Sequence, residues 1–197
     1  GSMCRWTFCG RAPTDLFGAL PQKVQRHMLP DQPASNTTQQ SGVPGPWNER
    51  LAHFKLGFTP SNGDELQSEY LVPRRNILPA LAAMRELGPR IAPLLMISEI
   101  RTMTADRLWL SGAYDTDTVG LHFTWKKLPT EVGDLLPEIE AALLPLGTRP
   151  HWGKVFAAGV DELAPLYPRF DDFRALAARY DPDGLFRNDF LSRKLGL

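Results

Sequence analysis

From position 66 onward, apolar and polar residues recur with recognisable periods. "LQSEYLVP" (66–73) reads as a strand ended by Pro73. In "RNILPALAAMRELG", Ile77, Leu81, Met84 and Leu87 fall at helical spacing, Pro79 fits the first turn, and Gly88 is the expected stop. "IAPLLMISEIRTM" is rich in strand formers, and after a turn through "SGAYDTD" so is "TVGLHFTWK". "TEVGDLLPEIEAALLPLG" predicts a second amphipathic helix, with Thr130 as its N-cap and Gly147 as its stop. "RPHWGKVF" (149–156) predicts one more strand, and the tail two short helices around 160–166 and 169–180 before the turn-rich "YDPDGLFRNDF". The order β-α-β-β-α-β, then helices, is a split βαβ pattern. The predicted class is α+β: an antiparallel sheet with helices on one face, a long irregular N-terminal segment and a helical C-terminal tail.

Up to about position 65 no period is sustained. Proline, glycine, asparagine and serine crowd "LPDQPASNTTQQSGVPGPWNERL" and "FTPSNGDE". Irregular segments this long are uncommon inside a compact domain. Trp47, Phe54 and Phe58 stud the later part, so it is expected to wrap a surface, while residues 32–40 are expected to be disordered. The chain thus divides into 1–12, which includes Gly1 and Ser2 as a cloning scar; an irregular wrapping segment, 13–65; an α+β domain, 66–158; and the helical tail, 159–197.

Composition narrows the function. The 197 residues are 43% apolar, enough for a real core. Lys plus Arg equals Asp plus Glu, at 22 each, so there is no electrostatic case for nucleic acid or an anionic membrane surface. No apolar run approaches the roughly 20 residues of a membrane span. The start, "GSMCRWTFCGR", lacks an apolar leader core, so a cytoplasmic protein is expected, with Cys4 and Cys9 as reduced thiols. The "NTT" sequon at Asn36 is then a chance match.

Strand phase locates candidate chemistry. In "VGLHFTWK", Val119, Leu121, Phe123 and Trp125 share one side, and Gly120, His122, Thr124 and Lys126 the other. A polar side of this kind ordinarily faces water. In "LLMISEIRTM", Leu95, Ile97, Glu99, Arg101 and Met103 share one face and Leu94, Met96, Ser98, Ile100 and Thr102 the other. Both faces begin apolar, which predicts a strand buried on both sides. Charges so placed must be paired or look into a polar cavity, leaving a structural Glu99–Arg101 pair and a functional site both open. Lys154, between Trp152 and Val155, meets the same test. Glu99, Arg101, Thr124 and Lys154 come from three consecutive strand-like segments and converge if those strands share a sheet. A carboxylate, two cations and a hydroxyl suit a polyhydroxylated or oxyanionic ligand. His122 and His151 are candidates to join them. Neither lies in HxxxH or HExxH spacing, so no metal is expected. There is no G-x-G-x-x-G and no G-x-S-x-G, and "GTRPHWGK" departs from a P-loop because five residues separate its glycines and valine follows its lysine.

The motifs "TDLFG", "GVPGPWNERLAHF", "ELQSEYLVPR", "SEIRT", "HFTW", "RPHWGKVF" and "YDPDGLFRN", across 13–194, resemble the C-terminal half of flavin-dependent alditol (xylitol) oxidases. These are akin to the aldonolactone oxidases, within the vanillyl-alcohol oxidase superfamily. The resemblance implies hydride transfer from a polyol or aldonolactone carbinol to covalently bound FAD, with dioxygen as acceptor. It implies that Glu99, Arg101, Thr124 and Lys154 bind substrate, that Lys154 and Arg101 are catalytic, and that His151, Trp152 and Asn188 lie near the cofactor. The flavin domain of that family is N-terminal to this region, and nothing here corresponds to its pyrophosphate loop or its anchoring histidine. The chain alone is therefore expected not to hold FAD, and residues 3–12 match nothing in the family. Two rival readings are a non-catalytic polyol- or sugar-binding domain and a subunit that pairs with a separate flavin-binding chain.

Overall fold

The computed structural model describes residues 18–20, 22–27, 33–41, 43–50 and 65–197, and the chain divides into two compact units, Gly1–Pro60 and Ser61–Leu197. In the first unit, Ala34–Asn36 form a 3-10 turn, and a single helical turn, α1, spans Trp47–Arg50. The Gln25 amide reaches into this turn, donating to Thr37 Oγ1 at 2.8 Å and to the Thr38 carbonyl at 3.2 Å. These contacts fall within the stretch 32–40 that composition marks as disordered, of which residues 33–40 are described. Cys4, Cys9, Phe54 and Phe58 lie outside the described residues.

The second unit is built on four strands: β1 (Leu66–Pro73), β2 (Leu95–Met103), β3 (Thr118–Trp125) and β4 (Arg149–Pro150). They are ordered β2-β3-β1-β4, and every pair is antiparallel. Helices α2 (Ile77–Glu86) and α3 (Gly88–Ile91) join β1 to β2, and α4 (Pro129–Leu143) joins β3 to β4. Each crossover therefore skips one strand, the split βαβ topology of an α+β domain.

One sheet face carries the core. Tyr70 and Val72 of β1 and Leu121, Phe123 and Trp125 of β3 pack with Ala80 and Ile91 and with Val132, Leu135, Leu136, Ile139 and Leu143 of α4. The Phe123 and Trp125 rings stack at 5.0 Å, and the Trp125 indole donates to Ser68 Oγ at 2.9 Å, satisfying its buried polar edge.

Several expectations are corrected. β2 is not buried on both sides: it is an edge strand, the helices cover β1 and β3, and Met96 and Ile100 stay 40% and 62% exposed. Leu95 does not share a face with Ile97 and Glu99. A register irregularity sets Leu95 opposite Trp125 but Ile97 opposite Thr124, so Leu95 joins the core. Gly88 does not end helical structure; it begins the single turn α3. Thr130 is not an N-cap, because α4 starts one residue earlier with Pro129 at its head. Gly147 does close that segment, in the left-handed region at φ +76°. The tail adds a helix that the pattern missed, α7 (Asp189–Leu195), after α5 (Val160–Leu163) and α6 (Phe170–Tyr180).

These helices build a second apolar cluster from Phe156, Ala158, Leu163, Tyr167, Phe170 and Leu195. A buried polar clamp joins the two cores. The Glu140 carboxylate of α4 accepts from the Tyr70 hydroxyl at 2.7 Å and from the backbone N–H groups of Ala157 and Ala158 at 2.7 and 2.6 Å. From the other side, Lys194 of α7 donates to the carbonyls of Phe156, Ala157 and Ala158 at 3.2, 2.8 and 2.7 Å. Burial and the neighbouring Glu140 charge push the Tyr70 hydroxyl pKa well above its ordinary value, so it remains a donor. The clamp fixes the chain immediately after Lys154.

Candidate functional site

The sheet face turned away from the helices carries the polar residues. Antiparallel register sets Glu69 of β1 beside His122 of β3, and His122 beside Glu99 of β2. One step along, Gln67, Thr124 and Ile97 form the next row, and Leu71, Gly120 and Arg101 the row on the other side. Period-two alternation therefore gathers Glu69, Glu99, Arg101, His122 and Thr124 on one surface.

Lys154 reaches this surface by a different device. "RPHWGKVF" was expected to be a strand, but only Arg149–Pro150 pair as one. The chain bonds to β1 at His151, whose N–H meets the Glu69 carbonyl at 2.9 Å, and again at Val155, whose N–H meets the Gln67 carbonyl at 2.9 Å. Between these it makes a turn, closed by the Lys154 N–H on the His151 carbonyl at 3.1 Å and by the Gly153 N–H on His151 Nδ1 at 3.1 Å. The excursion arches Lys154 over the polar face. Its Nζ sits 2.7 Å from Glu69 Oε2 and 2.7 Å from His122 Nδ1.

Glu69 is the hub. Its side chain is 6% exposed, and it also meets Arg101 Nη1 at 3.4 Å and His122 Nδ1 at 3.4 Å. Arg101 in turn holds Glu99 Oε2 through Nε at 3.1 Å and Nη2 at 2.5 Å. The structural pair and the shared face, left open by the sequence, coexist. Burial alone would raise the Glu69 pKa, but its contact with His122, the hydrogen bond from Lys154 and the Lys154 and Arg101 charges outweigh it and lower it to about 2. A depressed carboxylate stabilises the fold above its unfolded pKa and loses that contribution on acidification. Glu69→Gln is therefore expected to unfold more readily than the parent at neutral pH, with the gap closing as pH falls from 4.5 towards about 2. Denaturant titrations of both proteins across that range check this.

The polar face runs from a buried floor, Glu69 and His122, to a rim where Glu99 and Arg101 are 34% and 39% exposed on their side chains. Gly120 makes room for the floor: a Cβ there would stand 2.8 Å from Glu69 Oε1. An open cleft of about 600 Å³ adjoins Lys154, lined also by Gln67, Trp152, Gly153 and Phe190.

Of the remaining predicted site residues, His151 joins this network through its backbone and Trp152 lines the cleft beside Lys154. The Trp152 ring packs against Tyr167 and Phe156 in the second cluster, and its indole donates to the Leu110 carbonyl at 2.8 Å. His151 shapes the turn through its Nδ1. Asn188 is the N-cap of α7, accepting from the Leu191 N–H at 2.9 Å. Glu69 was missed by the sequence reading, although a signal existed: a carboxylate in mid-strand between Ser68 and Tyr70, with a glycine in the neighbouring strand.

Residues 61–194 match the family described as D-arabinono-1,4-lactone oxidase. The chain belongs to that family. It is 50% identical over 177 residues to the alditol oxidase of Streptomyces sp. (strain IKD472 / FERM P-14339), covering 90% of this chain and 43% of that protein. It is 33% identical over 133 residues to the L-gulono-1,4-lactone dehydrogenase of Mycobacterium tuberculosis, covering 66% and 30%. To the L-gulonolactone oxidase of Bos taurus it is 25% identical over 134 residues, covering 64% and 30%. The chain thus spans less than half the length of these relatives. Among the described residues no helix is long and apolar enough to cross a membrane.

Proposed function

We propose that this chain is the substrate-binding half of a flavin-dependent oxidoreductase that oxidises a carbinol of a sugar alcohol or an aldonolactone. The observation that carries the reading is the polar sheet face itself, where Glu99, Arg101, Thr124 and Lys154 lie together in a chain half-identical to an alditol oxidase. A polyol is a chain of oxygens, each a donor and an acceptor. Glu99 accepts from its hydroxyl hydrogens, and Arg101, Lys154 and Thr124 donate to its oxygens. As a carbinol is oxidised its oxygen gains negative character, and cations held in place beforehand stabilise that charge without reorganising.

The donor set suits the substrate side of a flavin. Arg101 and Lys154 are cations that favour the anionic reduced ring, while the remaining length of the relatives is where the pyrophosphate and the covalent anchor would be held. FAD, when bound, supplies the hydride acceptor, which dioxygen then reoxidises. In this reading the partner of the chain is that flavin domain.

Fusion tests this. Joined to the N-terminal part of the Streptomyces alditol oxidase, the chain is expected to give a yellow protein that releases peroxide from xylitol or sorbitol. The chain by itself is expected to be colourless and inactive. A flavin-loaded hybrid that binds polyols without reducing its flavin would instead favour the non-catalytic binding domain, and flavin bound stoichiometrically by the isolated chain would contradict the division of labour.

A further inference from the structure

The contacts around His122 fix more than its position. A lysine ammonium has donors and no acceptor. With Lys154 Nζ at 2.7 Å, His122 Nδ1 must accept, because a proton there would face another proton. Glu69 Oε2 lies farther from the same nitrogen, at 3.4 Å, and is instead engaged by Lys154 at 2.7 Å. The ring proton therefore sits on Nε2, which faces Thr124 Oγ1 at 3.1 Å. Thr124 accepts that proton, and its own hydroxyl hydrogen, the one donor a threonine side chain has, is left to point away from the ring.

We propose that Glu69 is a positioning residue that sets the hydrogen-bond polarity of this face: by holding Lys154, it commits His122 to the Nε2–H tautomer and Thr124 to donating outward, to an oxygen acceptor of the ligand. The inference rests on the oxidoreductase reading for what that ligand is, but the relay itself is a property of the chain. Its consequence is a division of roles across the face. Of these four, Thr124, Arg101 and Lys154 read oxygen lone pairs, and Glu99 reads hydroxyl hydrogens. A neutral residue at position 69 removes the countercharge of Lys154, frees Nδ1, and lets Thr124 turn its hydroxyl either way. The groups that face the relay come from all four strand segments: Glu69 from β1, Glu99 and Arg101 from β2, His122 and Thr124 from β3, and Lys154 from the turn after β4.

Nitrogen-15 NMR of the histidine rings in the full 197-residue chain tests this without flavin or polyol. At neutral pH the parent is expected to show His122 protonated on Nε2 alone, with Nδ1 carrying the shift of a hydrogen-bonded acceptor. Glu69→Gln is expected to abolish that acceptor shift and to give a mixture of tautomers. Lys154→Met, which leaves Glu69 in place, is expected to abolish the acceptor shift as well. A parent ring protonated on Nδ1, or on both nitrogens, overturns the proposal whether or not either variant folds. So does a folded Glu69→Gln variant whose His122 signals match the parent's, since a merely structural Glu69 would change the melting temperature and leave the tautomer alone. An inactive fusion protein would refute the oxidoreductase reading and leave these spectra unchanged, so the two failures are distinguishable.

Discussion

In a full-length, flavin-loaded enzyme that carries this half, Lys154→Met is expected to slow flavin reduction by about 10²–10³-fold while weakening substrate binding far less. The ground-state polyol is neutral, so a cation gains little from it. The transition state carries partial alkoxide character, and there the same cation gains more. Interactions that strengthen on the way to the transition state appear in the rate of the chemical step rather than in affinity. The structure adds the reason Lys154 can serve: Glu69 and His122 hold its Nζ at 2.7 Å each, and its side chain is 15% exposed. The cation is thus oriented before substrate arrives. Anaerobic stopped-flow reduction separates the cases. A rate within about threefold of the parent, worth only ~0.65 kcal/mol, would mean that Lys154 is not the cation at the reacting oxygen. A lysine with a purely structural role would lower the melting temperature and leave the rate per folded molecule alone.

The second large effect falls on stability. Lys194→Met and Glu140→Gln are each expected to cost about 3–5 kcal/mol, because each breaks a buried charged network and leaves its partners unsatisfied. Lys194→Met strips the donor from three successive carbonyls, those of Phe156, Ala157 and Ala158. Glu140→Gln turns one of the two acceptor oxygens into an amide N–H₂, which must then face a backbone N–H, that of Ala157 or of Ala158. Denaturant or thermal unfolding measures both. A loss below about 1 kcal/mol in either variant, the scale of a surface ion pair, would show that the clamp is not structural.

The sheet was legible because strand residues alternate. Val119, Leu121, Phe123 and Trp125 against His122 and Thr124 fix which side of β3 is core, and the element order fixes the topology up to edge strands. What failed were features set by neighbours. The exposed helix-side face of β2 follows from helices that stop short of an edge strand, which the run "LLMISEIRTM" does not encode. The turn at 151–154 replaces a strand because Gly153 and the His151 ring close it locally, against the apolar pattern of "RPHWGKVF". Helix α7 was hidden in "YDPDGLFRNDF" because its start is a side-chain cap at Asn188, a residue equally at home in turns. In the site, Glu99, Arg101 and Lys154 were found by asking why charges stand in apolar segments. The same question put to "LQSEYLVP" would have found Glu69. Its importance comes from contacts to Lys154, 85 residues away, and to His122, 53 residues away, which no local pattern expresses.

We propose that this polar sheet face is where a polyhydroxylated substrate is held for oxidation. A crystal structure of the flavin-loaded enzyme with xylitol or an aldonolactone tests it most directly. Ligand hydroxyls are expected within hydrogen-bond reach of Glu99, Arg101, Thr124 and Lys154, with one carbinol oxygen on Lys154 or Arg101. A ligand seated elsewhere, with these four side chains still engaged only with one another and with Glu69 and His122, would contradict it.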